Sequence, residues 1–238
     1  MSKFELISFA DDRALAQAAA NAWLEDLGAR REGPYCVALS GGRIAKSFFT
    51  AVAARAGADG SRLREVHYFW GDERCVAPED AESNFRAARE LFLVPLNIEE
   101  KKIHRLRGEA SIECAVAVGE AELCRLAPLD ANGQPVLDMI LLGMGEDGHV
   151  ASLFPGETEA VMGGKAVYRA VTASKPPPHR ITLGYAAIAA ARQVWVLASG
   201  AGKEVALRES LRPGGRTPLA RVLGLRPMTR IFTDIGLH

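Results

Sequence analysis

One pattern, repeated four times, limits what this chain can fold into: an apolar run of strand length that ends in a polar, glycine-bearing loop. Residues 35–39 run into Ser40-Gly41-Gly42, and residues 66–70 into Gly71-Asp72-Glu73-Arg74. Residues 137–142 run into Gly143, and 194–198 into Ser199-Gly200. A continuous apolar run marks a strand covered on both faces. Helical patterns follow most of these runs, over 44–56, 84–93, 111–126 and 201–211. A further helix is predicted over 12–27, where Asp11-Asp12 supplies a cap and Leu15, Ala19 and Trp23 share a face. Strands alternating with helices predict an α/β fold, a mostly parallel sheet with helices on both faces. In such sheets ligands gather beyond the carboxyl ends of the strands. All four glycine loops fall there, so residues far apart in sequence can meet in one crevice.

The 238 residues correspond to one large domain or two small ones, at roughly 150 residues per domain. No linker divides them. Lys175-Pro176-Pro177-Pro178-His179-Arg180 is stiff but short and leads at once into apolar sequence, so it reads as a rigid loop within a single domain, 1–238. Residues 157–180 are the least periodic part and read as an excursion. Lys+Arg and Asp+Glu number 29 each. Zero net charge provides no global field for nucleic acid or anionic lipid, so an anionic substrate needs a local cluster of cations. The start of the chain lacks the apolar run of a signal peptide, and no stretch is long enough for a membrane span. Four cysteines without a C-x-x-C suit free thiols in a reducing compartment. A soluble cytoplasmic protein is expected, a monomer or weak homo-oligomer. The five histidines form neither H-x-x-x-H nor H-x-H, so no metal is expected. No G-x-S-x-G elbow is present, which disfavours a serine hydrolase.

The segment from Leu137 to Gly156 is the richest in chemistry. Gly143-x-Gly145-x-x-Gly148 spells a dinucleotide fingerprint, but Pro155 follows seven residues after Gly148 and leaves little room for the helix that must meet a pyrophosphate. The other reading is a tight loop presenting Asp147 and His149. Histidine can take and return a proton near neutral pH, or it can simply brace the loop. Ser40-Gly41-Gly42-Arg43 reads as a phosphate cradle at a helix start or as a plain turn. Asp72, Glu73 and Arg74 could hold hydroxyls and an anion, or form a salt-bridged loop. Ser83-Asn84 reads as a helix start, with Phe85, Ala88 and Phe92 facing inward and Asn84 only a cap. Arg180 and Lys203 are cations in suggestive places. Lys203 opens a helix, where a positive charge is poorly matched unless an anion offsets it. Arg192, Arg30-Arg31 and Lys101-Lys102 read as surface charges.

Together these motifs, in this order and spacing, resemble the 6-phosphogluconolactonase family over nearly the whole chain. The carrying residues are Ser40-Gly41-Gly42, Gly71-Asp72-Glu73-Arg74 with Ser83-Asn84, and Leu142-Gly143-Met144-Gly145-Glu146-Asp147-Gly148-His149 through Phe154-Pro155-Gly156. Lys175-Pro176-Pro177 leading to Arg180, and Gly200 with Lys203, complete the set. The resemblance implies a fold of the sugar-phosphate isomerase/deaminase type. It implies hydrolysis of 6-phosphoglucono-1,5-lactone, a sugar-phosphate lactone of the pentose phosphate pathway, without metal or cofactor. It makes His149 the general base and Asp72 a second site residue. It makes Arg74 and Lys203 phosphate ligands, helped by Arg180 and the Ser40–Gly42 loop. The family commonly follows its glycine pair with a hydroxyl residue, threonine and proline. Arg43-Ile44-Ala45 stands there instead, so Arg43 either replaces those donors or points to solvent. The sibling activity, glucosamine-6-phosphate deamination, typically needs a glutamate where Phe154 stands. A catalytically silent sugar-phosphate-binding module is the remaining alternative.

Overall fold

The computed structural model describes residues 3–28, 33–56 and 60–237; Arg30-Arg31, read above as surface charges, and His238 lie outside them. The strands are β1 (Phe4–Ser8), β2 (Tyr35–Leu39), β3 (Val66–Trp70), β4 (Asp72–Arg74), β5 (Met139–Gly143), β6 (Tyr168–Thr172), β7 (His179–Leu183), β8 (Gln193–Ala198) and β9 (Thr229–Thr233). Six form one sheet in the order β1-β9-β8-β5-β2-β3, with every neighbouring pair parallel. All five residues of β2 are buried, as its unbroken apolar run requires. Parallel pairing sets the carboxyl ends of β2, β3, β5 and β8 along one edge.

The helices are α1 (Asp12–Gly28), α2 (Arg43–Ala56), α3 (Ser61–Arg64), α4 (Asn84–Ala88), α5 (Ile112–Leu126), α6 (Glu159–Met162), α7 (Tyr185–Ala190), α8 (Glu204–Leu211) and α9 (Pro218–Leu225). Asp11 caps α1 by accepting from the Ala14 amide at 2.7 Å. Trp23 of α1 packs on Phe48 of α2 and on Phe92, with ring centroids 5.7 and 5.9 Å apart. Phe92 lies in the π-helical turn Arg89–Leu93 that prolongs α4 and meets Tyr68 of β3 edge-on. Burying each such ring stabilises the fold by about 1.5–3 kcal/mol.

The second sheet is smaller and antiparallel, in the order β4-β7-β6. A single residue, Gly71, separates it from the large sheet. The Gly71 amide donates to Leu39 O and its carbonyl accepts from Leu183 N, both at 2.8 Å. Several sequence expectations change here. Residues 72–74 are a strand and not a loop. Arg180 lies on β7, beyond the stiff proline segment. The 157–180 excursion contains α6 and β6. β4 went unread because it has only three residues, and β6 and β7 because polar residues interrupt them where β2 and β5 run apolar. Lys102 is also not a simple surface charge. Its ammonium is 3.3 Å from His67 Nε2, and only 15% of its side chain is exposed. Among the described residues, no helix is long and apolar enough to cross a membrane.

Candidate active site

At the carboxyl edge of the parallel sheet lies a polar, partly open cleft. Ser40, Gly41, Gly42, Arg43, Asp72, Arg74, His149, Arg180 and Lys203 all line it, although 163 positions separate the first from the last. Asn84 lines it as well.

One wall is built from loops of the large sheet. Ser40 Oγ accepts from Gly143 N at 3.3 Å, joining the loop after β2 to the end of β5. Arg43 is the first residue of α2. Its guanidinium pairs with Asp12 and donates to Ser199 Oγ at 2.9 Å, and 60% of its side chain is exposed. It therefore sits tethered at the rim. Lys203 ends the short turn Ala201–Lys203 after β8. Burial, followed by the neighbouring Arg43 charge, holds the Lys203 ammonium below the ordinary lysine value, against the pull of Glu146 and Asp234.

The other wall is the small sheet. Arg74 of β4 lies directly opposite Arg180 of β7. Like charges facing each other across a strand pair destabilise it. Burial, then Arg74, lowers the Arg180 pKa. Arg74 Nη1 donates to Glu82 O at 2.6 Å, while its buried Nε has no protein partner. Arg180 Nε donates to Pro177 O at 3.0 Å, and its guanidinium lies 5.6 Å from the centroid of the Phe154 ring. Such a pair of cations suits an anion between them.

Asp72 is 4% exposed. Its Oδ2 accepts from Ser152 Oγ at 2.7 Å and its Oδ1 from Asn84 Nδ2 at 3.3 Å. Asn84 is thus more than the cap expected of it. Ser83 caps α4, accepting from Arg86 N at 3.2 Å, so Asn84 is the first helical residue and its side-chain amide holds Asp72 at the cleft. Glu73 fixes that helix end. Its carboxylate accepts from Asn84 N, Phe85 N and Ser83 Oγ at 2.8, 2.7 and 3.1 Å. Burial pushes the Glu73 pKa up, and the Asn84, Phe85 and Arg74 amides oppose it. A Cβ on Gly41 would come within 1.8 Å of Asn84 Oδ1, so the glycine loop can approach only without a side chain there. Sequence carried one signal for this role: a serine already at the cap leaves the next residue without that duty.

His149 stands on the turn after β5. Its Nδ1 lies 2.5 Å from Asp147 Oδ1, which also accepts from the His149 amide at 3.1 Å. Burial raises the Asp147 pKa, but the hydrogen bonds from His149 outweigh it and hold the carboxyl below the usual aspartate value. An ionised Asp147 keeps the ring proton on Nδ1 and leaves Nε2 as an acceptor. The ring packs on Phe154 at 4.9 Å. After Gly148 the chain turns through short bridges, Met144 with Val150 and Val150 with Leu153, and the next helix starts at Glu159. The run of residues 143–148 therefore does not itself open a helix, as the dinucleotide fingerprint requires. Among the described residues, no group of three or more His, Cys, Asp or Glu side chains could hold a metal.

The sequence profile of the family described as glucosamine-6-phosphate isomerases/6-phosphogluconolactonase matches residues 10–231. The chain belongs to this family. It is 33% identical to a 6-phosphogluconolactonase of Streptomyces coelicolor over 220 residues, covering 89% of this chain and 84% of the relative. Among solved structures it is similar to 6-phosphogluconolactonase from Trypanosoma brucei, at 28% identity and a TM-score of 0.82 over 98% of this chain and 96% of the other. A monomeric glucosamine-6-phosphate deaminase shares the fold, with a TM-score of 0.79 at 18% identity over 98% of this chain and 97% of that one.

Proposed function

We propose that the protein is a 6-phosphogluconolactonase. It hydrolyses 6-phospho-D-glucono-1,5-lactone to 6-phospho-D-gluconate in the cytoplasmic pentose phosphate pathway. The Asp147–His149 pair, opening onto a cleft lined with arginine and lysine, carries this reading. The similar 6-phosphogluconolactonases support it. The lactone is a cyclic ester, so water attacks carbon 1 and negative charge develops on the carbonyl oxygen. His149 Nε2 takes the proton of the attacking water, and Asp147 stabilises the imidazolium that results. The same proton then passes to the ring oxygen as the carbon–oxygen bond breaks, giving the open acid. No covalent intermediate and no metal is required. Arg74, Arg180 and Lys203 hold the phosphate, which carries between one and two negative charges near neutrality. Arg43 guards the rim through Asp12 and Ser199. The Ser40–Gly42 loop lends backbone donors beside the start of α2. Asp72, fixed by Ser152 and Asn84, receives substrate hydroxyls.

The decisive experiment is a coupled assay with the lactone generated in situ, corrected for spontaneous ring opening and run before and after exhaustive chelation. Turnover unchanged by chelation is expected. Binding without turnover would make the chain a sugar-phosphate-binding module. Turnover of glucosamine 6-phosphate in place of the lactone would assign the sibling activity, for which Phe154 offers no acid–base group.

A further inference from the structure

We propose that Thr217 is a positioning residue for His149, acting through the methyl group it packs beneath Gly148; the proposal rests on His149 being the base. Gly148 has φ +79°, and a Cβ there would meet Thr217 Cβ at 2.6 Å and Cγ2 at 2.7 Å. The Thr217 side chain is therefore seated directly against the backbone between Asp147 and His149. Two residues on, Leu219 N donates to Gly148 O at 3.1 Å. The amino end of α9 thus grips the catalytic turn by both packing and a hydrogen bond.

The hydroxyl of Thr217 works in the other direction. Its Oγ1 accepts from Ala220 N at 3.0 Å and lies 2.6 Å from Ser210 Oγ. Ser210 Oγ also lies 2.6 Å from Ala206 O, which can only accept. The Ser210 proton goes to that carbonyl, so Thr217 donates to Ser210. Ser210 is 3% exposed and Thr217 9%. This chain ties α9 to α8, the helix that begins immediately after Lys203. The α8–α9 corner is a bracket with Lys203 at one end and the His149 turn at the other. Thr217 sits where the bracket meets the turn and is not among the residues lining the cleft. Its effect on catalysis runs through the placement of His149, to which small displacements matter greatly.

Two substitutions separate the methyl from the hydroxyl. Thr217→Ser keeps the cap and the bond to Ser210 but removes the methyl under Gly148. It is expected to lower kcat about tenfold with KM nearly unchanged, and to shift the His149 ring signals in the NMR spectrum while those of His67 and His104 stay put. Thr217→Val keeps the methyl and loses the cap. It is expected to lower the thermal midpoint, and to lower the kcat of the folded protein clearly less than Thr217→Ser does. Unmoved His149 signals in Thr217→Ser would overturn the proposal. So would an equal loss of kcat in both variants that follows the loss of folded protein, since Thr217 would then be a helix cap and nothing more. His149→Gln tests the base assignment separately. Should that variant turn over normally, the base assignment falls, while the His149 signals of Thr217→Ser still report whether Thr217 places the ring.

Discussion

The two sheets of this protein divide its labour. The six-stranded parallel sheet is a frame, and its interior strand β2 is wholly buried. The three-stranded antiparallel sheet is a wall of the cleft and carries Asp72 and Arg74 on β4 and Arg180 on β7. In the frame, side chains are chosen for volume and water exclusion, and each position supports its neighbours. In the small sheet, two arginines face each other and a buried carboxylate is held by Ser152 and Asn84. Like charges so placed cost stability, which the substrate phosphate would offset under the proposed function. Damage to the frame should therefore appear as lost stability, and damage to the cleft as lost activity.

The largest effect is expected in the frame. Phe48 is 0% exposed and packs on Trp23 and Phe49. Phe48→Ala should lower the unfolding free energy by about 3–5 kcal/mol, read by urea denaturation, while the molecules that remain folded keep their kcat. A kcat that fell with stability intact would break the division. His149→Gln makes the opposite test. Turnover should drop roughly a hundredfold or more, with the thermal midpoint near that of the parent, because the change lies on a turn beside the cleft. A Gln variant with normal turnover would leave Asp72 as the candidate base.

Lys203→Ala probes the phosphate end. Removing a charge-assisted contact should weaken the phosphorylated lactone by about 1.5–3 kcal/mol in steady-state kinetics, and unphosphorylated gluconolactone little. Equal loss for both substrates would place Lys203 outside the phosphate site. The smallest effect lies at the rim of the frame, where β3 meets α5. His67 Nδ1 is 2.9 Å from His104 Nε2, Lys102 lies against its other nitrogen, and Glu65, Glu122 and Arg125 surround the pair. Burial, then the Lys102 charge, pushes the His67 pKa down to about 4. The unfolded chain takes that proton near pH 6.5 and the folded chain only near 4, so between these values the unfolded state binds more protons. Stability should fall as pH drops from about 6.5 to about 4, and His67→Gln should flatten part of that fall in denaturation midpoints. Identical pH profiles for the two proteins would remove His67 from the account.

The sequence alone determined the parallel frame, because burial on both faces writes a strand as an unbroken apolar run. Residues 35–39, 66–70 and 194–198 all fall within strands of the large sheet, and the cap at Asp11 starts α1 where predicted. It also singled out Arg74, His149 and Lys203 beside glycine loops at strand ends, and Arg180 after the proline segment, and all four line the cleft. The tertiary structure alone decided what those residues do to one another. Strands β4, β6 and β7 lack an unbroken apolar run, and only their pairing sets Arg74 opposite Arg180. Asn84 looked like a cap until Ser83 took that place and Gly41 made room for its amide. Thr217 lies 69 residues beyond Gly148, and nothing local to either marks their contact. Periodicity records burial within one element. The meeting of side chains from different elements is set by how those elements pack, and no single stretch of chain contains it.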